Sequence, residues 1–125
     1  MEPCIIITNN PMAAEKYADR GEIIYLADAN YREVLVAVRD KVYLGHQLIN
    51  HPLYGSLRPH ETPYRTVALT AKAAPQPDAD MCMIMSDAFT VVDRFVLPVA
   101  AVMSEKIRND YQMIDCDLLK RTLTE

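Results

Sequence analysis

The sequence has 125 residues, of which 50% are hydrophobic and 24% are charged, with a formal net charge of −4. These values are typical of a single globular domain and argue against a disordered chain. There is no basic cluster, so the sequence does not predict a nucleic-acid partner. The first apolar run, residues 4–7, is too short for a signal peptide or a membrane span. We therefore expect a cytoplasmic protein that does not enter a membrane.

The three cysteines do not predict a disulfide framework, because their number is odd and no C-x-x-C pair occurs. Cys4 and Cys82 lie in apolar surroundings and are expected to be buried free thiols. Cys116 lies between Asp115 and Asp117, and two negative charges disfavour a thiolate. We therefore expect Cys116 to be a poor nucleophile.

The first half of the chain alternates strand and helix patterns. The β-branched run 4–8 predicts a buried strand, and Asn10 and Pro11 then favour the start of a helix over 12–17. A second strand is predicted over 22–27. Apolar residues at helical spacing predict a helix over 31–44, capped by Asp28 or Asn30 and ended by Gly45. Residues 46–50 give a weaker third strand.

The second half continues in the same way. Residues 65–71 predict a fourth strand. Helices are predicted over 81–95 and 99–108, followed by an irregular segment, 110–115, and a short helix over 118–122 that Asp117 caps. The whole pattern predicts one three-layer α/β domain over 1–125, with a small, mostly parallel sheet of about four strands and helices on both faces. Right-handed crossovers would make the first and third strands parallel.

Two loops are the candidate site, because ligands of open α/β sheets bind beyond the carboxyl ends of parallel strands. The first is loop 8–11, where Thr8, Asn9 and Asn10 precede a helix N-terminus. Backbone N–H groups and the helix dipole favour an anion at such a position. The alternative is that these three residues only form a turn and a helix cap.

The second candidate is loop 51–64, which is long, polar and rich in proline. His51, Gly55, Ser56 and Arg58 are its candidate binding residues. Gly55 permits a positive φ, and the planar guanidinium of Arg58 suits a carboxylate or a phosphate. Glu61 and Thr62 are expected to cap or brace the loop. The alternative is a rigid connector held by its own hydrogen bonds, in which Arg58 is simply solvated.

Other chemistry receives little support from the sequence. The three histidines, at 46, 51 and 60, do not follow a standard zinc spacing, so we expect no metal, and no cofactor is predicted. His51 and Ser56 lack the nucleophile-elbow motif, which leaves the catalytic residues unknown. The Met-rich stretch 81–85 is either part of the core or a face for a partner or a second copy.

Four segments resemble the GrdX family: 6–11 (IITNNP), 45–48 (GHQL), 51–56 (HPLYGS) and 59–64 (PHETPY). The resemblance implies a small accessory protein encoded with the glycine, sarcosine and betaine reductase systems of amino-acid-fermenting anaerobic bacteria. It carries no catalytic residues over to this chain, and it implies reductase components as partners. The family motifs fall on loop 8–11 and loop 51–64.

Three hypotheses follow. The leading one is an accessory protein that binds a small anionic ligand or a reductase component through loop 8–11 and loop 51–64. The second is a small enzyme acting on an amino-acid-derived or phosphorylated metabolite, with His51 and Ser56 in its site. The third is a regulatory or assembly module that uses the Met-rich helix as its partner face, with a homo-oligomer as one form of it.

Overall fold

A computed structural model describes residues 3–53 and 58–123. The described residues form three strands, four α-helices and one 3-10 helix. In chain order these are β1 (Cys4–Thr8), α1 (Pro11–Lys16), β2 (Gly21–Tyr25), α2 (Tyr31–Tyr43), β3 (Thr66–Thr70), α3 (Ala79–Val92), the 3-10 helix (Ala100–Val102) and α4 (Glu105–Leu123).

The sheet has the order β2-β1-β3, with β1 in the middle. β1 pairs with β2 in parallel and with β3 in antiparallel orientation. The predicted α/β class is confirmed, with helices on both faces of the sheet. The prediction of about four, mostly parallel strands is wrong, because the described sheet is mixed and has three strands.

Residues 46–50 are the missing strand. They run beside β3 and form only one isolated bridge, Leu48 to Leu69. In a regular ladder, a backbone carbonyl of the neighbouring strand would accept the N–H of Ala68. Here this N–H donates to the side-chain oxygen of Asn50 at 2.7 Å. The backbone ladder is therefore interrupted by a side-chain acceptor, and the segment stays irregular.

Two apolar cores lie on opposite faces of the sheet, because successive residues of β1 point to opposite sides. Ile5 and Ile7 pack towards α2 and α3, whereas Cys4 and Ile6 pack towards α1 and α4. All five residues of β1 are buried. This is the burial pattern that its continuous β-branched run predicts for a strand covered on both sides.

Helix α2 begins at the predicted residue and ends at Tyr43, one residue before the predicted end. Asn30 is its N-cap and forms a reciprocal capping box with Glu33. Gly45 follows the helix with φ of +106°, and a Cβ at this position would lie 2.2 Å from the carbonyl oxygen of Ala74. Position 45 therefore favours glycine for both conformational and steric reasons.

The C-terminal part differs most from the prediction. α4 is continuous over Glu105–Leu123, so the irregular segment 110–115 and the cap at Asp117 are both wrong, and the predicted helix 99–108 is replaced by the 3-10 helix and the first turn of α4. The buried face of α4 has helical spacing, but two of its members are polar; it consists of Gln112, Asp115, Cys116, Leu119 and Leu123. None of the helices in the described part of the chain is long and apolar enough to cross a bilayer.

Candidate functional site

Loop 8–11 and loop 51–64 meet at one edge of the sheet, and Asn9 joins them. Its side-chain amide donates to the carbonyl oxygens of Ala29 and Pro63 at 2.9 and 2.8 Å. Its side-chain oxygen accepts the N–H of Arg65 at 2.9 Å. The two loops lie at the same edge, as the sequence predicts. The reason is not that both loops follow parallel strands. Loop 51–64 leads into the start of the antiparallel β3, and this start pairs with the end of β1.

Four buried polar side chains lie behind this edge, and we call them the polar node: Thr8, Asn10, Thr66 and Asp115. The Asp115 carboxylate accepts the N–H of Thr66 at 3.1 Å, the hydroxyl of Thr66 at 2.5 Å and the amide of Asn10 at 2.9 Å. The two threonine hydroxyls lie 2.7 Å apart. The polar node therefore connects β1 and β3 to α4 through hydrogen bonds inside the protein.

Asn10 also connects the polar node to the start of α1. Its side-chain oxygen accepts the N–H groups of Met12 and Ala13 and so caps α1, while its amide donates to α4. Thr8 and Asn10 both have no exposed surface. The structure thus places two of the predicted binding residues under the surface, where their polar atoms bond to protein groups.

His51 is half-buried and holds its own turn. Its Nδ1 accepts the N–H of Leu53 at 3.0 Å, and its carbonyl oxygen accepts from the guanidinium of Arg65. Burial, and next the positive charge of Arg65, lower the pKa of His51 below its usual 6.5. The imidazole is therefore neutral at neutral pH.

The other predicted residues of loop 51–64 have different positions. Arg58 is exposed, and its N–H donates to the side chain of Glu61 at 2.9 Å, which fits the bracing role expected for Glu61. Gly55 and Ser56 lie outside the described residues, and so does the positive φ predicted for Gly55.

A narrow internal cleft lies between Arg65 and Asp115. Arg65 is 4% exposed, and its Nε has no hydrogen-bond partner among the residues that the structure describes. Tyr31 and Tyr111 are among the other residues that line it, and the volume is about 10 Å³. A space of about this size holds at most one water molecule, so this cleft is too small for a metabolite.

A much larger cleft opens at the carboxyl ends of β1 and β2, and we call it the open cleft. Its volume is about 370 Å³. Asn9 and Pro11 form one wall, the connection from β2 to α2 forms the second, and the segment 98–101 with α4 forms the third. This is the position at which open α/β sheets bind ligands, and the volume is within the range of small-molecule sites.

Arg108 is the one cation among the described residues that line the open cleft. Its Nη1 donates to the carbonyl oxygen of Met103 at 2.8 Å and to that of Ala100 at 3.5 Å. It forms no ion pair with any described residue, since those observed are Arg32 with Asp93 and Arg39 with Asp40. The guanidinium is therefore held in place by neutral carbonyls and keeps donors for an anionic group.

The sequence did not reveal Arg108, because α4 brings it to the cleft from a distant part of the chain. Nothing in its local sequence separates it from an ordinary helix-surface arginine. Gln112, one turn further along α4, donates to the hydroxyl of Tyr64 at 2.9 Å. This hydrogen bond holds α4 against the end of loop 51–64. It therefore fixes the wall of the open cleft to which α4 contributes.

The buried thiols do not add reactive groups. Burial raises the pKa of Cys116 to about 11, and the nearby Asp115 charge acts in the same direction. Burial also raises the pKa of Cys4. Both are free thiols in their protonated form at neutral pH, so the expectation that Cys116 is a poor nucleophile is supported. Within 3–53 and 58–123, no three His, Cys, Asp or Glu side chains lie close enough together to hold a metal ion.

The fold and the open cleft define a small three-layer α/β protein with a candidate ligand site at the strand ends. Residues 5–124 match the family of GrdX-like proteins. The chain therefore belongs to the GrdX-like family. No curated protein and no solved structure matches it.

Proposed function

We propose that this GrdX-like protein is a cytoplasmic accessory protein of a glycine, sarcosine or betaine reductase system, and that it binds a small ligand with an anionic group in the open cleft. The biological setting rests on the family, whose name suggests the association with glycine reductase. The binding role rests on the geometry of the cleft.

The observation that carries the binding role is Arg108. Removing a guanidinium from water is unfavourable unless a partner compensates it, and neutral carbonyls compensate it only in part. A carboxylate or a phosphate could accept two parallel N–H bonds from the remaining edge of the group. Each hydrogen bond to a charged group contributes about 1.5–3 kcal/mol. One anionic group bound to Arg108 is therefore enough for a weak but specific site.

The loops predicted from the sequence have a revised role in this proposal. Asn9 and Pro11 of loop 8–11, and Pro63 and Tyr64 of loop 51–64, line the open cleft. The buried residues Thr8 and Asn10 support that wall from behind and do not line the cleft. We propose that the two loops shape the site and that α4 supplies the charged contact.

A thermal-shift comparison tests the binding role. The full-length protein is screened against acetate, acetyl phosphate, inorganic phosphate and glycine. A ligand at 100 times its Kd adds about 2.7 kcal/mol to the free energy of unfolding, which is several degrees in a domain of this size. Arg108→Gln should remove the shift.

The matched control is Arg121→Gln, since Arg121 is an exposed arginine on the same helix and lies outside the cleft. The control should keep the full shift. Equal shifts in Arg108→Gln and in the unmodified protein would overturn the assignment of Arg108.

A second candidate function, docking of a reductase component, is favoured by an exposed apolar patch beside the open cleft. Val96, Val99 and Val102 are 93%, 58% and 84% exposed. The Met-rich helix is less suited to this role than the sequence suggested, because Met85 is fully buried and Met83 alone of its methionines is exposed. Val102→Asp should abolish capture of purified reductase subunits if this patch is the contact, and unchanged capture would contradict it.

A further inference from the structure

We infer that the ligand of the open cleft is a zwitterion, with its carboxylate on Arg108 and its ammonium group beside Asp28. This inference rests on the proposed function and specifies the class of ligand. It depends on a second charged residue in the lining of the same cleft.

Asp28 lies in the connection between β2 and α2 and lines the open cleft. The sequence offers both Asp28 and Asn30 as caps for α2. Asn30 performs the capping: its side chain accepts the N–H of Glu33 at 2.8 Å, and its own N–H donates to the Glu33 carboxylate at 3.0 Å. Asp28 is thus not needed to start the helix.

The carboxylate of Asp28 forms no hydrogen bond or ion pair with the residues that the structure describes. Arg108 likewise forms no ion pair with any residue that the structure describes. The lining of the open cleft therefore contains one positive and one negative group, and neither neutralises the other or is neutralised by a protein neighbour.

This pair of charges discriminates between classes of ligand. A phosphate dianion would gain from Arg108 but would also be repelled by Asp28. A ligand with both a carboxylate and an ammonium group is attracted at both ends, and it leaves no uncompensated charge in the cleft. A singly charged acid such as acetate lies between these two cases, because it uses only one of the two groups.

The aromatic lining supports the same assignment. Tyr25 is the last residue of β2 and lines the open cleft three positions before Asp28, with 44% of its surface exposed. An aromatic ring in the lining can add a cation–π contact to the attraction of a carboxylate. The part of the lining that Asp28 and Tyr25 supply therefore contains two kinds of group that a cation can contact.

Isothermal titration of the full-length protein tests the inference. The zwitterions are glycine, β-alanine and 4-aminobutyrate, which separate the two charges by increasing distances. The single-charge probes are acetate, methylammonium and inorganic phosphate. We expect at least one zwitterion to bind about tenfold more tightly than acetate, a difference of about 1.4 kcal/mol.

Two substitutions separate the ends of the ligand. Asp28→Asn keeps the shape of the side chain and should weaken binding of the zwitterion about tenfold, while binding of acetate stays the same or improves. Arg108→Gln should weaken both. Asp19→Asn, at an exposed position in the turn after α1 and outside the cleft, is the control and should change neither.

The failures of the two proposals are distinct. If acetate or phosphate binds as tightly as every zwitterion, or if Asp28→Asn leaves zwitterion affinity unchanged, the zwitterion assignment is overturned and the proposed anion site stands. If none of the six probes binds, both the zwitterion assignment and the small-ligand role fail.

Discussion

The polar node and the open cleft lie at the same edge of the sheet, and each contains an aspartate. Asp115 in the polar node is 5% exposed and accepts three hydrogen bonds from Asn10 and Thr66. Asp28 in the open cleft is exposed and accepts none from the residues that the structure describes. The comparison shows that two residues of the same type at this edge differ in burial and in the number of internal partners, so residue type alone does not indicate what either one does.

The two aspartates also differ in the free energy that their positions cost. A buried carboxylate is tolerated only when donors replace the water that it has lost. The donors in the polar node come from β3 and from the residue that caps α1, so Asp115 makes the position of α4 depend on both elements. The carboxylate of Asp28 is exposed instead, and it has no partner among the described residues through which it could control the fold.

The largest expected effect is on the polar node. Asp115→Ala would leave the N–H and hydroxyl of Thr66 and one N–H of Asn10 without their acceptor, and we expect a loss of about 3 kcal/mol in the free energy of unfolding. Urea denaturation measures it. Asp117→Ala, an exposed neighbour on the same helix, is the control and should cost less than about 0.5 kcal/mol. Equal stabilities of the two variants would contradict the stabilising role of Asp115 in the polar node.

Asn9 lies between the two regions and gives the next effect. Asn9→Ala removes hydrogen bonds to Ala29, Pro63 and Arg65, and we expect a loss of about 2 kcal/mol. Hydrogen exchange should also become faster at the amide of Arg65. The comparison variant is Asn109→Ala, at an exposed site on α4, which should leave both quantities unchanged. A fully stable Asn9→Ala protein would mean that the loops are joined by other contacts.

His51 gives a smaller effect, which can be followed through the dependence of stability on pH. Its pKa is lowered in the folded state, so below about pH 6.5 the unfolded chain binds the proton more readily than the folded protein does. Stability should therefore fall as the pH drops from 7.5 to 5.5, and His51→Gln should reduce this fall. The free energy of unfolding at the two pH values gives the answer. Parallel pH profiles for the variant and the unmodified protein would contradict the role of His51.

The smallest effect is expected in the open cleft. Asp28→Asn should change the free energy of unfolding by less than about 0.5 kcal/mol, because the carboxylate has no described partner to lose. Asp115→Asn, the same chemical change in the polar node, should cost several times more. Chemical denaturation of the two proteins under the same conditions tests the comparison most directly, and similar costs would refute it.

Local patterns predicted the elements whose signals are local. The β-branched run of β1, the amphipathic spacing of α2 and the stop at Gly45 all lie within a few residues of the structures that they determine. The continuity of α4 through 110–115 was missed because the polar residues Gln112 and Asp115 lie on its buried face and interrupt the apolar periodicity. Their burial is explained by partners in distant segments, which no local pattern contains.

The candidate site was predictable only in part. The rule for strand ends predicted that the two loops lie at one edge of the sheet, and Asn9 joins them there. It did not separate Asn9, which lines the open cleft, from Thr8 and Asn10, which lie beneath it. Arg108 was beyond prediction because only the packing of α4 against the sheet edge places it there.

The contact between Asn10 and Asp115 has a consequence for how the chain folds during its synthesis. The two residues are separated by 105 positions, and the core between α1 and α4 likewise joins residues 4–17 to residues 116–123. When β1 and α1 leave the ribosome, the Asp115 acceptor for Asn10 and the apolar partners on α4 have not yet been synthesised. The side of β1 that faces α4 is therefore buried only after α4 has been synthesised. Until then this side of the central strand is accessible to chaperones and proteases.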